Sequence, residues 1–246
     1  MTFRTSRTSR LRVGSTAALL VALLPLTASS VRSPHGRTSV ASGGALGRPL
    51  ATAGDAPSRA AVRRALAERA GGTYITEMLA ERDSALARWP DQGGAPLVVW
   101  VQPTSDIVGW ASSYADDVRG AFRQWGALEL PVRFAFASDS ASADVHVNFV
   151  DHFDEEISGR TKWTRDDAWW ITDADIVLAV YHRDGPMLDH DAMRAMALHE
   201  IGHLLGLDHT ADSTSIMAPR VHVRSLSRAD SATVRLLYTL PPGGVR

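Results

Sequence analysis

His199-Glu200-Ile201-Gly202-His203-Leu204-Leu205-Gly206-Leu207-Asp208-His209 is the stretch around which the rest of the chain is arranged. At 3.6 residues per helical turn, His199 and His203 fall on one face, so their imidazoles can share one Zn²⁺. Glu200 projects toward the same face. Gly206 lets the chain leave the helix through a left-handed turn, which swings His209 back as a third ligand. Three protein ligands leave one position open to water, as in a catalytic rather than a structural zinc site.

Working outward, the 246 residues suffice for one domain of ordinary size with extensions. The formal net charge is −1, yet residues 1–54 hold seven arginines and no acid, and subtracting seven from −1 leaves −8 for the rest. An acidic body argues against a nucleic-acid partner. Cysteine is absent, which excludes disulfides, thiolate zinc ligands and thiol-based latency.

Arg4, Arg7, Arg10 and Arg12 precede an apolar run, Val13 to Ala28, that is short for a membrane span, and small residues follow at 27–30. This predicts a signal peptide over 1–29 and an exported protein, extracellular or periplasmic. An uncleaved signal anchor is the alternative, and only that would tie the chain to a membrane. Residues 30–57 have the Ser, Gly, Ala, Arg and Pro content of a flexible linker. Helical spacing then predicts one helix from Ser58 to the Gly71-Gly72 break and a second carrying Ile75, Met78, Leu79, Leu86 and Trp89. The preferred division makes 30–85 a linker and helical pro-segment and 86–246 a catalytic domain. The alternative keeps both helices as permanent parts of the fold.

Past the Pro90–Pro96 loop, Leu97–Val101 predicts a buried strand. Ile107, Trp110, Tyr114, Val118, Phe122 and Trp125 predict a long amphipathic helix ending at Gly126. Val132–Ala137, Asp144–Val150 and Asp175–Tyr181 predict further strands, with Thr161–Thr164 a short edge strand. The histidine helix follows, capped by Asp189 or Asp191, and Ser227 with Asp230 opens a last helix as in a capping box. The order predicts an α+β fold with one mixed sheet backed by helices.

These motifs together resemble the metzincin clan of zinc endopeptidases. Ser215-Ile216-Met217-Ala218-Pro219 looks like that clan's Met-turn. The matrixin branch is the better match: Pro219 stands where astacin- and serralysin-like members carry tyrosine, and Ala143–Phe149 and 226–238 are also similar to matrixins. The likeness spans Trp89 to Leu240. It implies a twisted mixed sheet, a long backing helix and a zinc-binding helix above the Met-turn. In three places the chain departs from that family: it has no cysteine switch, it carries Val221 where a tyrosine often walls the specificity pocket, and it lacks a recognisable His-Asp-His-His structural-zinc pattern.

The resemblance implies a secreted zinc endopeptidase acting on proteins or peptides, and a monomer. His199, His203 and His209 would hold the Zn²⁺, which acidifies a water and polarises the scissile carbonyl, with Glu200 as general base. Substrate would lie extended along the 161–164 edge. The competing class is a non-catalytic zinc-containing binding module on the same scaffold, against which the presence of Glu200 argues. Met217 is expected to pack rather than ligate. His146, His152 and His182 with Asp154 are candidates for a second metal, Asp151, Asp154, Glu155 and Glu156 for Ca²⁺, and Trp163, Trp169 and Trp170 for the cleft lining; surface histidines, a solvated acidic loop and core aromatics are the competing readings.

Overall fold

The computed structural model describes residues 58–82 and 84–244. All lie in one compact unit, 48–246; the predicted signal peptide and linker over 1–57 fall outside the described residues. The elements begin with α1 (Arg59–Arg69), α2 (Ile75–Glu81), β1 (Ala85–Leu86), β2 (Leu97–Val101) and α3 (Ser112–Gly126). β3 (Phe134–Ala137), β4 (Val145–Val150), β5 (Gly159–Arg165) and β6 (Ile171–Ala179) come next. α4 (His190–Leu204), α5 (Arg228–Leu237) and β7 (Gly243–Gly244) complete the chain.

β2 to β6 form one sheet in the order β3-β2-β4-β6-β5. All neighbours are parallel except β5, which runs antiparallel to β6 and leaves its outer edge unpaired in the sheet. The alternation seen in the sequence is the alternation of the pleat: Leu97, Val99, Val101, Val145, Val147, Ile176 and Leu178 are buried. α3 packs on β2 and β3, α4 on β5 and β6, and the two helices on each other. The Trp125 indole N–H donates to the Leu198 carbonyl at 2.9 Å, and the buried Asp117 carboxylate accepts from Arg194 at 2.8 Å and pairs with His190 at 2.5 Å. The architecture is the expected α+β fold with a mixed sheet.

Several elements differ from expectation. The long helix starts at Ser112, not Ile107. Gly109 takes φ +78°, and a Cβ there would meet Met187 and Tyr181. Residues 107–111 therefore pack as a loop, with the Tyr181 hydroxyl donating to Val108 and Trp110 edge-on to Phe149. The second helix stops at Glu81. Ser84 turns the chain at φ 63°, β1 pairs with β7, and Leu86 and Trp89 are buried without being helical. β6 begins at Ile171 rather than Asp175, because its first residues pair with the longer β5.

α1 and α2 belong to the same core as the rest. Tyr74, Ile75 and Met78 are buried in one cluster with Val234 and Leu237, and the Tyr74 backbone N–H donates to the Thr233 hydroxyl of α5 at 3.1 Å. A division at 85/86 would uncover that cluster. Met78→Ala is expected to destabilise the protein by ~2–5 kcal/mol, the usual range for a fully buried methionine. Chemical unfolding measures it; a change within ~0.5 kcal/mol, as at a surface position, would place α2 outside the cooperative core. Among the described residues no helix is long and apolar enough to cross a membrane.

Candidate metal centre

The Asp189 carboxylate accepts the Ala192 N–H at 2.7 Å and starts α4, which settles the choice between the two aspartates. At the other end of α4 the Gly206 N–H donates to the His203 carbonyl and the Leu207 N–H to the Gly202 carbonyl, each at 2.9 Å, with Gly206 at φ +96°. These are the two bonds of a Schellman turn. The Trp89 indole takes the Leu204 carbonyl at 2.9 Å. With its end fixed in this way, the helix releases the chain so that His209 returns over His199 and His203.

The three Nε2 atoms lie 3.1, 3.2 and 3.3 Å apart. Ligands about 2.0–2.1 Å from a tetrahedral Zn²⁺ would be separated by about 3.3 Å, so the donor set fits the ion. The Nδ1 of His199 donates to the Ile216 carbonyl at 2.7 Å and that of His203 to the Leu207 carbonyl at 3.0 Å. Those bonds fix the tautomer that leaves Nε2 bare for a metal. Burial, the largest cause, lowers the His199 pKa to about 4 and that of His203 to about 3, which keeps both rings neutral and ready to ligate.

Glu200 is buried beside them, and burial raises its carboxyl to about 7 against the hydrogen bond from Thr161, whose hydroxyl lies 2.6 Å from Oε2. A nearby cation favours the carboxylate and acts in the opposite sense to burial. Gly159 faces the same carboxylate so closely that a Cβ would overlap it. Gly159→Ala is expected to push Glu200 aside and lower kcat about 100-fold, the penalty for ~1 Å of misplacement, with the melting temperature little changed. Steady-state kinetics with a peptide substrate checks this.

The same three groups govern the acid response of the metal-free protein. Unfolded imidazoles take up protons below 6.5, whereas the folded rings of His199 and His203 do so only near 4 and 3. Glu200 opposes them, holding its proton in the folded state up to about 7 instead of 4.5. Two groups outweigh one, so stability is expected to fall as pH drops from 6.5 toward 4. Thermal melts of chelator-treated protein across that range would show it.

The Met-turn closes the floor. Met217 is buried against Gly202, its N–H bonded to the Ser215 hydroxyl at 2.9 Å. Beneath it Asp230 accepts from the Ser215 hydroxyl, from the Ile216 N–H at 3.1 Å and from the Ser227 N–H at 2.7 Å. Asp230 thus completes the expected capping box and, by accepting the Ile216 N–H, also holds the residue whose carbonyl orients His199.

A cleft of about 980 Å³ runs past the histidines, lined by Gly159, Thr161 and Trp163 of β5 and by Pro219, Arg220 and Val221 after the Met-turn. Trp169 and Trp170 are not in it; they lie under Arg165 and Arg88, with centroids 3.7 and 4.6 Å from the guanidinium carbons. No second group of three or more metal-binding side chains is gathered among the described residues. His146 bonds the Ser140 carbonyl, His152 pairs with Asp151, His182 with the Ser158 hydroxyl and Glu155 with Arg160. The suggested second-metal and Ca²⁺ sets are therefore not brought together. Thr161, Gly159 and Arg82 were not evident from the sequence, because their roles depend on which strand and turn lie against α4.

A family model described as Matrixin matches residues 101–239. The chain belongs to the matrixin family. Matrixins are zinc-dependent peptidases, which agrees with the three-histidine donor set. Among curated proteins, Metalloendoproteinase 1 of Glycine max is 28% identical over 140 residues, 53% of this chain and 44% of that protein. Metalloendoproteinase 1-MMP of Arabidopsis thaliana is 30% identical over 141 residues, 49% of this chain and 36% of its own length. Matrix metalloproteinase-16 of Homo sapiens is 31% identical over 97 residues, 37% of this chain and 14% of the human protein. The chain spans less than half the length of each of these relatives.

Proposed function

We propose that this matrixin is a secreted zinc endopeptidase that hydrolyses peptide bonds in proteins through His199, His203, His209 and Glu200. The observation that carries the reading is the convergence of three bare Nε2 atoms beside a buried carboxylate at the floor of an open cleft. When bound, Zn²⁺ supplies Lewis acidity toward the scissile carbonyl and toward a water. Glu200 accepts that water's proton on its carboxylate and delivers it to the leaving nitrogen. Thr161 holds Oε2 of the carboxylate, and Oε1 lies against Gly159, which lines the cleft. The unpaired edge of β5 offers backbone N–H and C=O groups to an extended substrate, as in strand addition. Val221 and Pro219 line the same cleft and would form part of the wall that selects substrate side chains. Secretion rests on the basic and apolar pattern of residues 1–29.

The test is digestion of an unfolded protein substrate by metal-loaded protein, with and without chelator. One zinc per chain by elemental analysis, chelator-sensitive cleavage and loss of zinc in His209→Ala are expected. Stoichiometric zinc with no cleavage across a broad peptide library would instead support a binding module.

A further inference from the structure

Residue 82 and the helix before it reach the metal site from the part of the chain that the sequence alone assigns to a linker or pro-segment. The Arg82 guanidinium is largely buried and spans three consecutive residues just ahead of His209. Nη1 donates to the Gly206 carbonyl at 3.0 Å, Nη2 to the Leu207 carbonyl at 3.4 Å, and Nε pairs with the Asp208 carboxylate. The Leu207 carbonyl is the one that orients His203. The same guanidinium lies 5.3 Å from the ring centroid of Trp163 on the cleft edge of β5. One side chain therefore joins the turn between two metal ligands to the strand that faces substrate.

One helical turn earlier, a Glu77 carboxylate oxygen accepts from the Thr210 hydroxyl at 2.9 Å and from the Ala211 N–H at 3.0 Å. These residues follow His209 directly, and the Thr210 N–H bonds back to the Met217 carbonyl at 3.1 Å. The helix is itself anchored on α5, through the Tyr74 N–H to Thr233 and the Tyr74 hydroxyl to Asp230 at 3.2 Å. So His209 is fastened on both sides by α2 and its cap residue. Neither Arg82 nor Glu77 falls in the span that matches the family model.

We propose that Arg82 and Glu77 are positioning residues that set the third histidine, and that the 73–82 segment is a retained clamp on the metal site rather than a piece removed on maturation. The proposal rests on the three-histidine zinc site described above. The physical reason is direct. A turn held only by its own backbone can swing His209 by an ångström, and three charge-assisted bonds to consecutive residues forbid that.

The experiment uses the full chain and Zn²⁺ itself, titrated in competition with a chromogenic chelator, with Co²⁺ substitution as a spectroscopic report on ligand geometry. Arg82→Ala is expected to weaken zinc about 10- to 100-fold, in the range for residues that orient metal ligands, and to change the visible Co²⁺ bands. Glu77→Gln is expected to weaken it several-fold. Arg82→Ala combined with Asp208→Ala should be little worse than Arg82→Ala alone, since losing the guanidinium already removes the Asp208 contact, and Asp208→Ala alone should be milder because both carbonyl contacts remain. Arg69→Ala, in the same amino-terminal segment but with its guanidinium donating to the Thr239 hydroxyl, should leave zinc affinity and Co²⁺ spectrum unchanged. If Arg82→Ala does not fold, Arg82→Lys replaces it: a point charge cannot serve two carbonyls and a carboxylate together, so weaker zinc binding is again expected. Wild-type zinc affinity in the folded Arg82 variants, or a mature product that begins after residue 82 and keeps full zinc affinity, overturns the clamp. A wild-type chain that binds no stoichiometric zinc overturns the metal site first.

Discussion

Glu200→Gln is expected to lower kcat for peptide hydrolysis by about 10²- to 10⁴-fold while the protein keeps its zinc and its fold. The amide matches the carboxylate in shape, and its carbonyl oxygen can still accept from the Thr161 hydroxyl, so the neighbours have no reason to move. The amide has no basic oxygen with which to take a proton from water. The proposed ligands His199, His203 and His209 are untouched, and the Nδ1 partners of His199 and His203, the Ile216 and Leu207 carbonyls, lie elsewhere. Rate and metal content should therefore separate. Kinetics on a fluorogenic peptide alongside elemental analysis of the same sample would show this. A variant retaining a tenth or more of the rate with full zinc would remove Glu200 from the proton path.

The second large effect falls on Gly206→Ala. At φ +96° an L-residue carries ~1–2 kcal/mol of strain, and the added methyl would also press on the Ala87 carbonyl oxygen, a backbone atom with nowhere to rotate. With strain of ~2 kcal/mol alone, the melting temperature should fall by about 4–8 °C for a domain of this size. Relieving the overlap shifts the turn that carries His209, so zinc affinity should fall together with stability. An unchanged melting temperature would mean that the turn adopts another conformation at no loss, and the Schellman geometry would no longer account for the third ligand.

Much of this centre was legible in the chain because its determinants are local. The spacing of His199 and His203, the glycine after the helix and the methionine past His209 each act within a turn or two, where backbone geometry leaves little choice. The strands were legible for the same reason: period-two burial at 97–101 and 144–150 is a property of the pleat. Local pattern misled where packing across the molecule took over. Ile107 and Trp110 have helical spacing but pack as a loop against Tyr181 and Phe149. Leu86 and Trp89 also have it, yet Leu86 pairs with β7 and Trp89 caps α4.

The sequence by itself therefore determined the candidate chemistry: the three histidines proposed to hold the metal, the carboxylate proposed as the base and the glycine that turns the chain between them. Tertiary structure decided how that chemistry is supported. Thr161 and Gly159 shape the pocket around Glu200, Asp230 holds the Met-turn, and Arg82 and Glu77 pin the turn around His209 from well over a hundred residues away in the chain. Interactions over that separation leave no periodicity or spacing to read, since their partners meet only once the helices and sheet have packed.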